Sequence, residues 1–241
     1  MSAPPFRSYD RVVVVVPAHN EKADLPRCLR AVLTAALCVP ISVSVVVVLD
    51  ANDDDSAELA GRYGPDVHFV SIDAHNVGAA RAVGFGYGRS LCRDDDECWY
   101  ATTDADSRVD PGWLIHQLKL GAELVLGVVR VTNWRQHSAD VAARYARAYQ
   151  ASMPDEDGQH EHIHGANMGF SARAYWRVGG FRALPSGEDV DLVERFEAAG
   201  YRIRRDTELS VITSARTNGR AANGFADYLS QLGGSAAGDC A

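Results

Sequence analysis

The sequence predicts an α/β protein with a mostly parallel central sheet flanked by helices. Through the first hundred residues, runs of β-branched side chains alternate with helical stretches rich in small residues, which is the βαβ pattern of a parallel sheet. The runs are continuously apolar, as is typical of strands covered on both faces. Polar clusters follow three of them, and ligands of open parallel sheets bind beyond the carboxyl ends of the strands. We therefore expect a binding site there.

Strands and helices alternate regularly through the first half of the chain. Valine-rich runs favour strands because branched side chains pack well on a pleated surface, and the intervening stretches have helical length and composition. Strands are predicted at residues 12–16, 43–49, 67–72 and 99–102, and helices at 25–37, 56–63 and 77 to about 91. The glycines inside the last helix, at 84, 86 and 88, are expected to serve packing, because they do not lie between a strand and a helix as a dinucleotide fingerprint requires.

The second half is less regular. Pro111 suits the first turn of a helix, and further elements are predicted as strands at about 123–131 and 208–212 and helices at 140–151 and 188–199. No repeat or low-complexity linker divides the chain, so we expect one domain over residues 1–241. Its parts are a regular half at about 10–107, a second half at about 108–215, and a C-terminal segment at 216–241 whose glycine-rich end is expected to fray.

Composition excludes several classes of protein. The chain has 241 residues, 46% of them hydrophobic, which suffices for a large core. Its net charge of −8 argues against a nucleic-acid surface. The longest apolar run, residues 12–16, is too short to cross a bilayer, and no signal peptide is evident. We therefore expect no integral membrane segment and a cytoplasmic location. The five cysteines form no Cys-x-x-Cys pair, which favours reduced, mostly buried thiols.

Asp104 and Asp106 are the most informative residues, because they directly follow an apolar, aromatic-rich strand. At this spacing in an extended segment both side chains leave the same face. A hard divalent cation could bind one or both carboxylates while phosphate oxygens of a ligand complete its shell. The alternative is a solvated acidic turn, which is common where chains reverse.

Two earlier loops carry polar residues at strand ends. The segment from Pro17 to Glu21 leads from the first strand into a helix, so its backbone amides could face an anionic ligand, although it could equally be an ordinary turn. Asp50 ends the second strand, where its carboxylate could accept a hydrogen bond from a ligand N–H such as the imide of uracil. Asp54 or Asp55 is expected to cap the helix that follows.

Helix starts supply further candidates. Asn76 is a predicted N-cap, and Arg81, one turn into the same helix, could reach a diphosphate. Glu188 and Asp189 precede an apolar helical run, where acids favour the helix dipole, and Ser186 stands at capping-box spacing from Asp189. Structural capping and catalysis both remain open for this acidic pair.

Three histidines alternate at positions 160, 162 and 164 and would share one face if the segment is extended. A zinc site lacks a fourth ligand at a suitable spacing. We favour a mobile loop over the substrate pocket, with His164 the most informative histidine because it adjoins the segment Gly165-Ala-Asn-Met.

Read in order, these motifs resemble those of the family 2 glycosyltransferases, which have the GT-A fold, and the resemblance extends from Val12 to about Ile212. Two features depart from the family pattern: Leu49 replaces the first aspartate of the second motif, and the later Gln-x-x-Arg-Trp signature is absent. The matching segments are Pro17-Ala-His-Asn20-Glu21, Leu49-Asp50-Ala-Asn-Asp-Asp54, Asn76-Val-Gly78-Ala-Ala-Arg81, Asp104-Ala-Asp106, Gly165-Ala-Asn167-Met168, Gly179-Gly-Phe181 and Glu188-Asp189.

The resemblance implies a Rossmann-like nucleotide-binding half followed by an acceptor half. It implies transfer from a UDP- or GDP-sugar to an acceptor hydroxyl, with Mg²⁺ or Mn²⁺ held chiefly by Asp106, and with Asp104 reaching the ribose or a metal-bound water. Asp189, beside Glu188, would be the catalytic base of an inverting reaction. The implied donor-binding residues are Pro17, Ala18, Asn20, Glu21, Asp50, Asn76, Gly78, Arg81, Asp104 and Asp106.

The acceptor implied by the resemblance is a small molecule or a lipid head group. The corresponding acceptor-binding residues are His164, Gly165, Ala166 and Asn167, together with Arg216 and Arg220, whose guanidinium groups suit an anionic group on either substrate. A homodimer is possible. Three alternatives stay open: a nucleotidyltransferase on a related fold, a non-catalytic nucleotide-sugar-binding scaffold, and a retaining transferase on the same fold.

Overall fold

The computed structural model describes residues 9–151, 160–216 and 229. Seven strands form one sheet. The strands are β1 (Arg11–Ala18), β2 (Ser42–Asp50), β3 (Val67–Ile72), β4 (Cys98–Thr102), β5 (Leu124–Val131), β6 (Met168–Ser171) and β7 (Ile203–Thr213). The helices are α1 (Leu25–Ala36), α2 (Val77–Arg89), α3 (Trp113–Lys119), α4 (Ala139–Ala151), α5 (Ala172–Arg177) and α6 (Glu188–Ala198).

The sheet has the order β3-β2-β1-β4-β6-β5-β7. Neighbours among the first four strands run parallel, and β5 and β7 are parallel to each other. The short strand β6 lies antiparallel between β4 and β5. All strands except β6 therefore present their carboxyl ends at one edge. The predicted α/β class with a mostly parallel sheet is confirmed.

The core lies on both faces of the sheet. Val12, Val14 and Val16 belong to the layer that packs on α1 and α3, while Val13 and Val15 belong to the layer under α2, α5 and α6. All five valines have 0% exposure, which explains the continuous apolar run, because each face of the strand is covered.

The glycines of α2 allow this helix to lie close to the sheet. A Cβ atom at Gly84 would lie 2.5 Å from Cγ1 of Val15, and one at Gly88 would lie 2.5 Å from Cγ1 of Val13. The packing role predicted for these two positions is confirmed. Gly86 is different, since a Cβ there would meet nothing within 4 Å.

Several local predictions need correction. The helix predicted at 56–63 is a short 3₁₀ helix, Asp55–Leu59, capped as expected by the Asp54 carboxylate. The Ser186–Asp189 capping box does not form, because α6 begins after Gly187 at φ 72° with no side-chain cap. The strand predicted at 208–212 is longer, and a register shift interrupts its pairing with β5. Strand β6, which has 4 residues, was not predicted.

Two of the cysteines are not free thiols. Cys92 and Cys98 form a disulfide between the end of α2 and the start of β4, so the expectation of reduced thiols was wrong for this pair. Cys28 is a buried free thiol and Cys38 an exposed one. Among the helices that the structure describes, none has the length and apolar character needed to cross a membrane.

Candidate functional site

The loops after β1 and β2 are joined to each other at the carboxyl edge of the sheet. The side-chain oxygen of Asn20 accepts hydrogen bonds from the amides of Asp53 and Asp54, at 3.0 and 3.3 Å. The amide of Asn20 in turn donates to Oδ1 of Asn52 at 3.1 Å. Asn20 adopts φ 55°, a left-handed conformation that asparagine tolerates better than most residues. Pro17 and Ala18 pair with β2 immediately before this loop.

Asp50 and Asn76 fix the loop between β3 and α2. The Asp50 carboxylate accepts hydrogen bonds from the amides of Ala74, His75 and Asn76, at 2.7, 2.9 and 2.7 Å. The Asn76 side chain caps α2 through the amide of Ala79 and donates to the carbonyl of Leu184 at 2.7 Å. Both side chains were predicted to contact the donor, and in this structure both hold the backbone of the loop between β3 and α2.

A cavity of about 380 Å³ lies beside these loops, between the ends of β2 and β3. Its size suits a nucleoside, because small-molecule sites typically begin near 300 Å³. The cavity is lined by Leu49, Ala51, Asn52, Asp54, Ala57, Ser71, Ile72, Asp73 and His75. The Asp50 side chain itself is 5% exposed and is not among the lining residues.

Arg81 joins the Asp-x-Asp segment to the start of α6. Its Nη2 donates to Oδ1 of Asp104 at 2.7 Å, and its Nη1 donates to Oε1 of Glu188. The Arg81 side chain is 3% exposed and lies over the ring of Phe181. We expected this guanidinium to reach a diphosphate. Instead it is buried between two carboxylates, and we assign it a positioning role.

Small residues make room for this ion-pair group. A Cβ atom at Gly165 would lie 2.5 Å from Nη2 of Arg81, and one at Gly78 would lie 2.1 Å from the carbonyl oxygen of Arg182. The amide of Gly165 donates to Oδ2 of Asp189 at 2.8 Å. We call Asp104, Arg81, Glu188, Gly165 and Asp189 the Asp104 side of the site. Its members come from four separate regions of the sequence.

A second arginine pairs with Asp106. Nη1 of Arg216 donates to Oε1 of Glu21 at 2.6 Å and lies 3.4 Å from Oδ2 of Asp106. The side chains of Glu21 and Asp106 are 6% and 9% exposed, whereas that of Arg216 is 28% exposed. We call Asp106, Glu21 and Arg216 the Asp106 side. Arg216 was predicted to contact the acceptor and instead lies with two of the predicted donor and metal residues.

The Asp106 carboxyl group is electrostatically unusual. Its pKa is raised to about 7, chiefly by burial and also by the nearby acids Asp104 and Glu21, while Arg216 acts in the opposite direction. A carboxylate in this setting gains from a bound cation, because the cation compensates for lost hydration and for repulsion between the acids. Asp104 and Asp106, the two predicted metal ligands, carry carboxylate oxygens, the kind of ligand that Mg²⁺ and Mn²⁺ prefer.

The predicted acceptor loop, residues 164–167, is mostly buried. The Asn167 side chain is 0% exposed; its oxygen accepts from the indole N–H of Trp113 at 2.8 Å, and its nitrogen donates to the carbonyls of Val128 and Leu209. We therefore reassign Asn167 to holding β5, β7 and α3 together. Ala166 and Gly165 are buried as well, and His164 is half-buried; of these, Gly165 contacts the Asp104 side directly. Arg220 lies outside the described residues.

The alternating histidines form a ring stack. His162 stacks on Tyr149 at 4.2 Å between centroids, and His164 stacks on His162 at 5.5 Å. Burial and the neighbouring imidazoles lower the pKa of His164 to about 4. Its Nε2 atom is buried with no hydrogen-bond partner among the described residues. Residues 152–159, which precede these histidines, lie outside the described part of the chain.

One group with metal-ligating side chains was missed by the sequence reading. His116, Asp206 and Glu208 place one ligand atom each within 4.8 Å of one another. The Nε2 atom of His116 lies 3.2 Å from Oδ2 of Asp206, and Glu208 is exposed. A partly exposed imidazole–carboxylate pair of this kind is common on protein surfaces, and we assign it no ligand.

Comparison with known families identifies the fold. The model of the family described as glycosyl transferase family 2 matches residues 13–179. The chain belongs to glycosyltransferase family 2. This match confirms the resemblance drawn from the motifs and makes the protein a transferase enzyme.

Relatives support the same assignment. An uncharacterized glycosyltransferase of Mycobacterium tuberculosis is 28% identical over 219 residues, which cover 88% of each chain. An undecaprenyl-phosphate 4-deoxy-4-formamido-L-arabinose transferase of Pseudomonas fluorescens is 32% identical over 135 residues, which cover 53% of this chain and 37% of the relative.

Solved structures share the GT-A fold. A mannosyltransferase of Pyrobaculum calidifontis, in complex with GDP-Man and Mn²⁺, superposes with a TM-score of 0.66 at 19% identity, covering 90% of this chain and 61% of that one. S. aureus TarS residues 1–349, in complex with UDP-GlcNAc, gives a TM-score of 0.63 at 13% identity, covering 89% and 61%. The chain thus spans about three-fifths of each of these two structures.

Proposed function

We propose that this glycosyltransferase moves a sugar from a nucleoside-diphosphate sugar to an acceptor hydroxyl, with a divalent metal ion and with inversion at the anomeric carbon. The observation that carries the proposal is the Asp104 side. There, a single buried arginine connects the Asp-x-Asp segment to the start of α6, beside Asp189 and the acceptor loop. Donor, metal and base residues would then face a common reaction centre.

The metal ion would be held by Asp106 and Asp104. Mg²⁺ is commonly bound by one or two carboxylates, with substrate phosphates and water completing its shell, so these two residues suffice. When bound, Mg²⁺ or Mn²⁺ would stabilise the charge of the departing nucleoside diphosphate. Binding of GDP-Man and Mn²⁺ by the Pyrobaculum enzyme supports a divalent ion here as well.

The nucleoside would bind in the cavity between the ends of β2 and β3. The loops that form it are fixed by Asn20, Asp50 and Asn76, which reduces the ordering cost of binding. The structural neighbours hold UDP-GlcNAc or GDP-Man, so a UDP- or GDP-sugar is the proposed donor class.

Asp189 would act as the catalytic base. Its Oδ2 accepts from the Gly165 amide at 2.8 Å and its Oδ1 from the Val190 amide at 2.9 Å. Each oxygen keeps a free lone pair, so the fixed carboxylate can take the proton of an acceptor hydroxyl. The acceptor oxygen bonds to the anomeric carbon as the bond from that carbon to the diphosphate oxygen breaks, which inverts the centre.

The acceptor would be a small molecule or a lipid head group. One relative is named as a transferase to undecaprenyl phosphate, which makes a polyprenyl phosphate a reasonable member of an acceptor panel. A cytoplasmic location and a homodimer stay predictions.

The first test is calorimetric titration with nucleoside diphosphates and nucleotide sugars, each with Mn²⁺ and with chelator. We expect metal-dependent binding of one nucleotide class, and its loss in Asp106→Ala. No binding across the panel would reject the proposal and favour a non-catalytic scaffold. Release of diphosphate from a nucleoside triphosphate would favour a nucleotidyltransferase.

The base is tested with Asp189→Asn. We expect transfer to fall by about 10²- to 10⁴-fold, the usual value of a positioned base, with donor affinity unchanged. Glu194→Gln is the matched control, because Glu194 is an exposed acid on the same helix, and it should transfer as the wild type does. Unchanged transfer in Asp189→Asn would place the base elsewhere, and retained configuration in the product would exclude inversion.

A further inference from the structure

The position of Arg216 is not explained by the acceptor role that the sequence suggested. Arg216 follows β7, and its hydrogen-bond partner Glu21 lies 195 residues earlier in the chain. The same Nη1 atom lies 3.4 Å from Oδ2 of Asp106. The guanidinium therefore lies against the carboxylate that we propose as the main metal ligand.

The guanidinium supplies the positive charge that this pair of acids needs. The side chains of Glu21 and Asp106 are almost fully buried, and burying two carboxylates without a cation is costly. Arg216 is a positive side chain that contacts both acids. Arg81 contacts Asp104 and Glu188 instead.

A divalent ion and the guanidinium would compete for Asp106. The oxygen that faces Arg216 is Oδ2 of Asp106, and two cations at one carboxylate repel each other strongly at such short distances. A bound diphosphate adds negative charge next to the ion and offers oxygens that match the planar fork of an arginine. Both changes favour movement of the guanidinium from Asp106 toward the phosphates.

Arg216 is more exposed than Arg81 and is therefore freer to move. The Arg216 side chain is 28% exposed, whereas that of Arg81 is 3% exposed and lies against Gly165 and Phe181. Arg216 can therefore leave its partners without opening the core, whereas Arg81 cannot.

We propose that Arg216 is a positioning residue that exchanges partners when the donor binds. In the nucleotide-free enzyme its guanidinium neutralises Glu21 and Asp106; when the metal ion and donor bind, it moves to the diphosphate. This inference rests on the proposed function, because it assumes a metal-bound nucleotide donor. It assigns Arg216 to donor binding and not to the acceptor.

The test compares wild type with Arg216→Gln in two binding measurements. The first is Mn²⁺ affinity without nucleotide, from the electron paramagnetic resonance signal of free Mn²⁺. The second is calorimetric affinity for the nucleoside diphosphate that wild type binds, at saturating Mn²⁺. We expect Arg216→Gln to bind Mn²⁺ about fivefold more tightly, because a competing cation is lost, and the nucleotide about tenfold more weakly, because a charge-assisted hydrogen bond is lost.

Two further variants keep the result interpretable. Arg173→Gln removes an equal charge from a partly exposed surface ion pair with Asp96 and should leave both affinities unchanged. Arg216→Lys keeps the charge, so it should bind Mn²⁺ as the wild type does and recover part of the nucleotide affinity. Circular dichroism melting of each variant checks that it is folded.

The opposite signs of the two shifts identify the exchange. If Arg216→Gln weakens both affinities, Arg216 supports the metal site as a fixed part and the proposal is wrong. If neither affinity changes, Arg216 serves only the fold and the proposal is also wrong. If wild type itself binds neither Mn²⁺ nor any nucleotide, the proposed function fails first, which is a distinguishable result.

Discussion

The two aspartates of the Asp-x-Asp segment lie two residues apart and have different surroundings. Asp104 binds Arg81, which is 3% exposed and also holds Glu188. Asp106 faces Arg216, which is 28% exposed and also holds Glu21. Each side thus has one arginine between two acids. The two sides differ in which partner is buried: on the Asp104 side the arginine is buried and Asp104 is 37% exposed, whereas on the Asp106 side both acids are buried and the arginine is partly open to solvent.

This difference indicates that the two arginines have different roles. A buried arginine held by two carboxylates keeps the Asp-x-Asp segment and the start of α6 in fixed geometry, as catalysis by the proposed base Asp189 would require. A partly exposed arginine can change partners at a modest energetic cost. The same kind of ion pair therefore gives rigidity on one side and exchange on the other, depending on burial.

The largest expected effect on stability comes from removing the buried arginine. Arg81→Met leaves the buried Glu188 without its cation, so we expect a loss of about 3–5 kcal/mol in the free energy of unfolding. Arg216→Met should cost less, about 1–3 kcal/mol, because water can enter where the 28% exposed guanidinium stood and because the Asp106 carboxyl, whose pKa is about 7, can take up a proton in place of the lost cation. Urea unfolding at pH 7.5 measures both. Equal losses would show that the two sides do not differ as described.

A smaller effect is expected from crowding the Asp104 side. A Cβ atom at Gly165 would lie 2.5 Å from Nη2 and 2.6 Å from Cζ of Arg81, and two carboxylates prevent that side chain from moving away. Gly165→Ala should therefore cost about 1–3 kcal/mol and reduce transfer, since the Gly165 amide also orients Asp189.

The matched control for this substitution is Gly86→Ala. Gly86 lies within α2, and an added Cβ there meets nothing within 4 Å, so alanine should stabilise the protein by up to about 1 kcal/mol. Urea unfolding of the two variants should shift in opposite directions. A neutral Gly165→Ala would mean that Arg81 has room to move.

The smallest expected effect is a pH dependence beside the Asp104 side. The pKa of His164 is lowered by burial to about 4, from an ordinary value of 6.5. Between these values the unfolded chain binds a proton that the folded chain does not, so this histidine's contribution to stability is lost as the pH falls from about 6.5 toward 4. His164→Gln should make unfolding free energy less sensitive to acid, as measured by urea unfolding at pH 7.5 and 5. An unchanged acid sensitivity would contradict a buried neutral imidazole.

Much of the fold could be predicted from local patterns. The valine runs at 12–16 and 43–49 predict strands covered on both faces, and the segment between them is long enough for one helix. Parallel strands have their carboxyl ends at one edge of the sheet. Asp50, Asp104 and Asp106 directly follow predicted strands, and this was enough to place them at that edge. The family match agrees with this reading.

Side-chain partnerships in the site could not be predicted in the same way. Arg81 and Arg216 were both assigned to substrates, because an arginine near a predicted phosphate site suits an anion. The structure pairs them with Glu188 and Glu21, at separations of 107 and 195 residues. A local sequence pattern does not reveal a contact between residues so far apart in the chain. Burial decides whether the guanidinium pairs with a carboxylate of the protein.

The sequence by itself determined the secondary-structure rhythm, the family and the loops that carry the chemistry, because these depend on residue periodicity and short motifs. Only the tertiary structure decided that Asn167 supports the core, that β6 lies antiparallel beside β4, and that the two arginines differ in exposure. The physical reason is that solvent exposure and ion pairing depend on which distant segments pack together, and the separation of residues along a chain does not fix that packing.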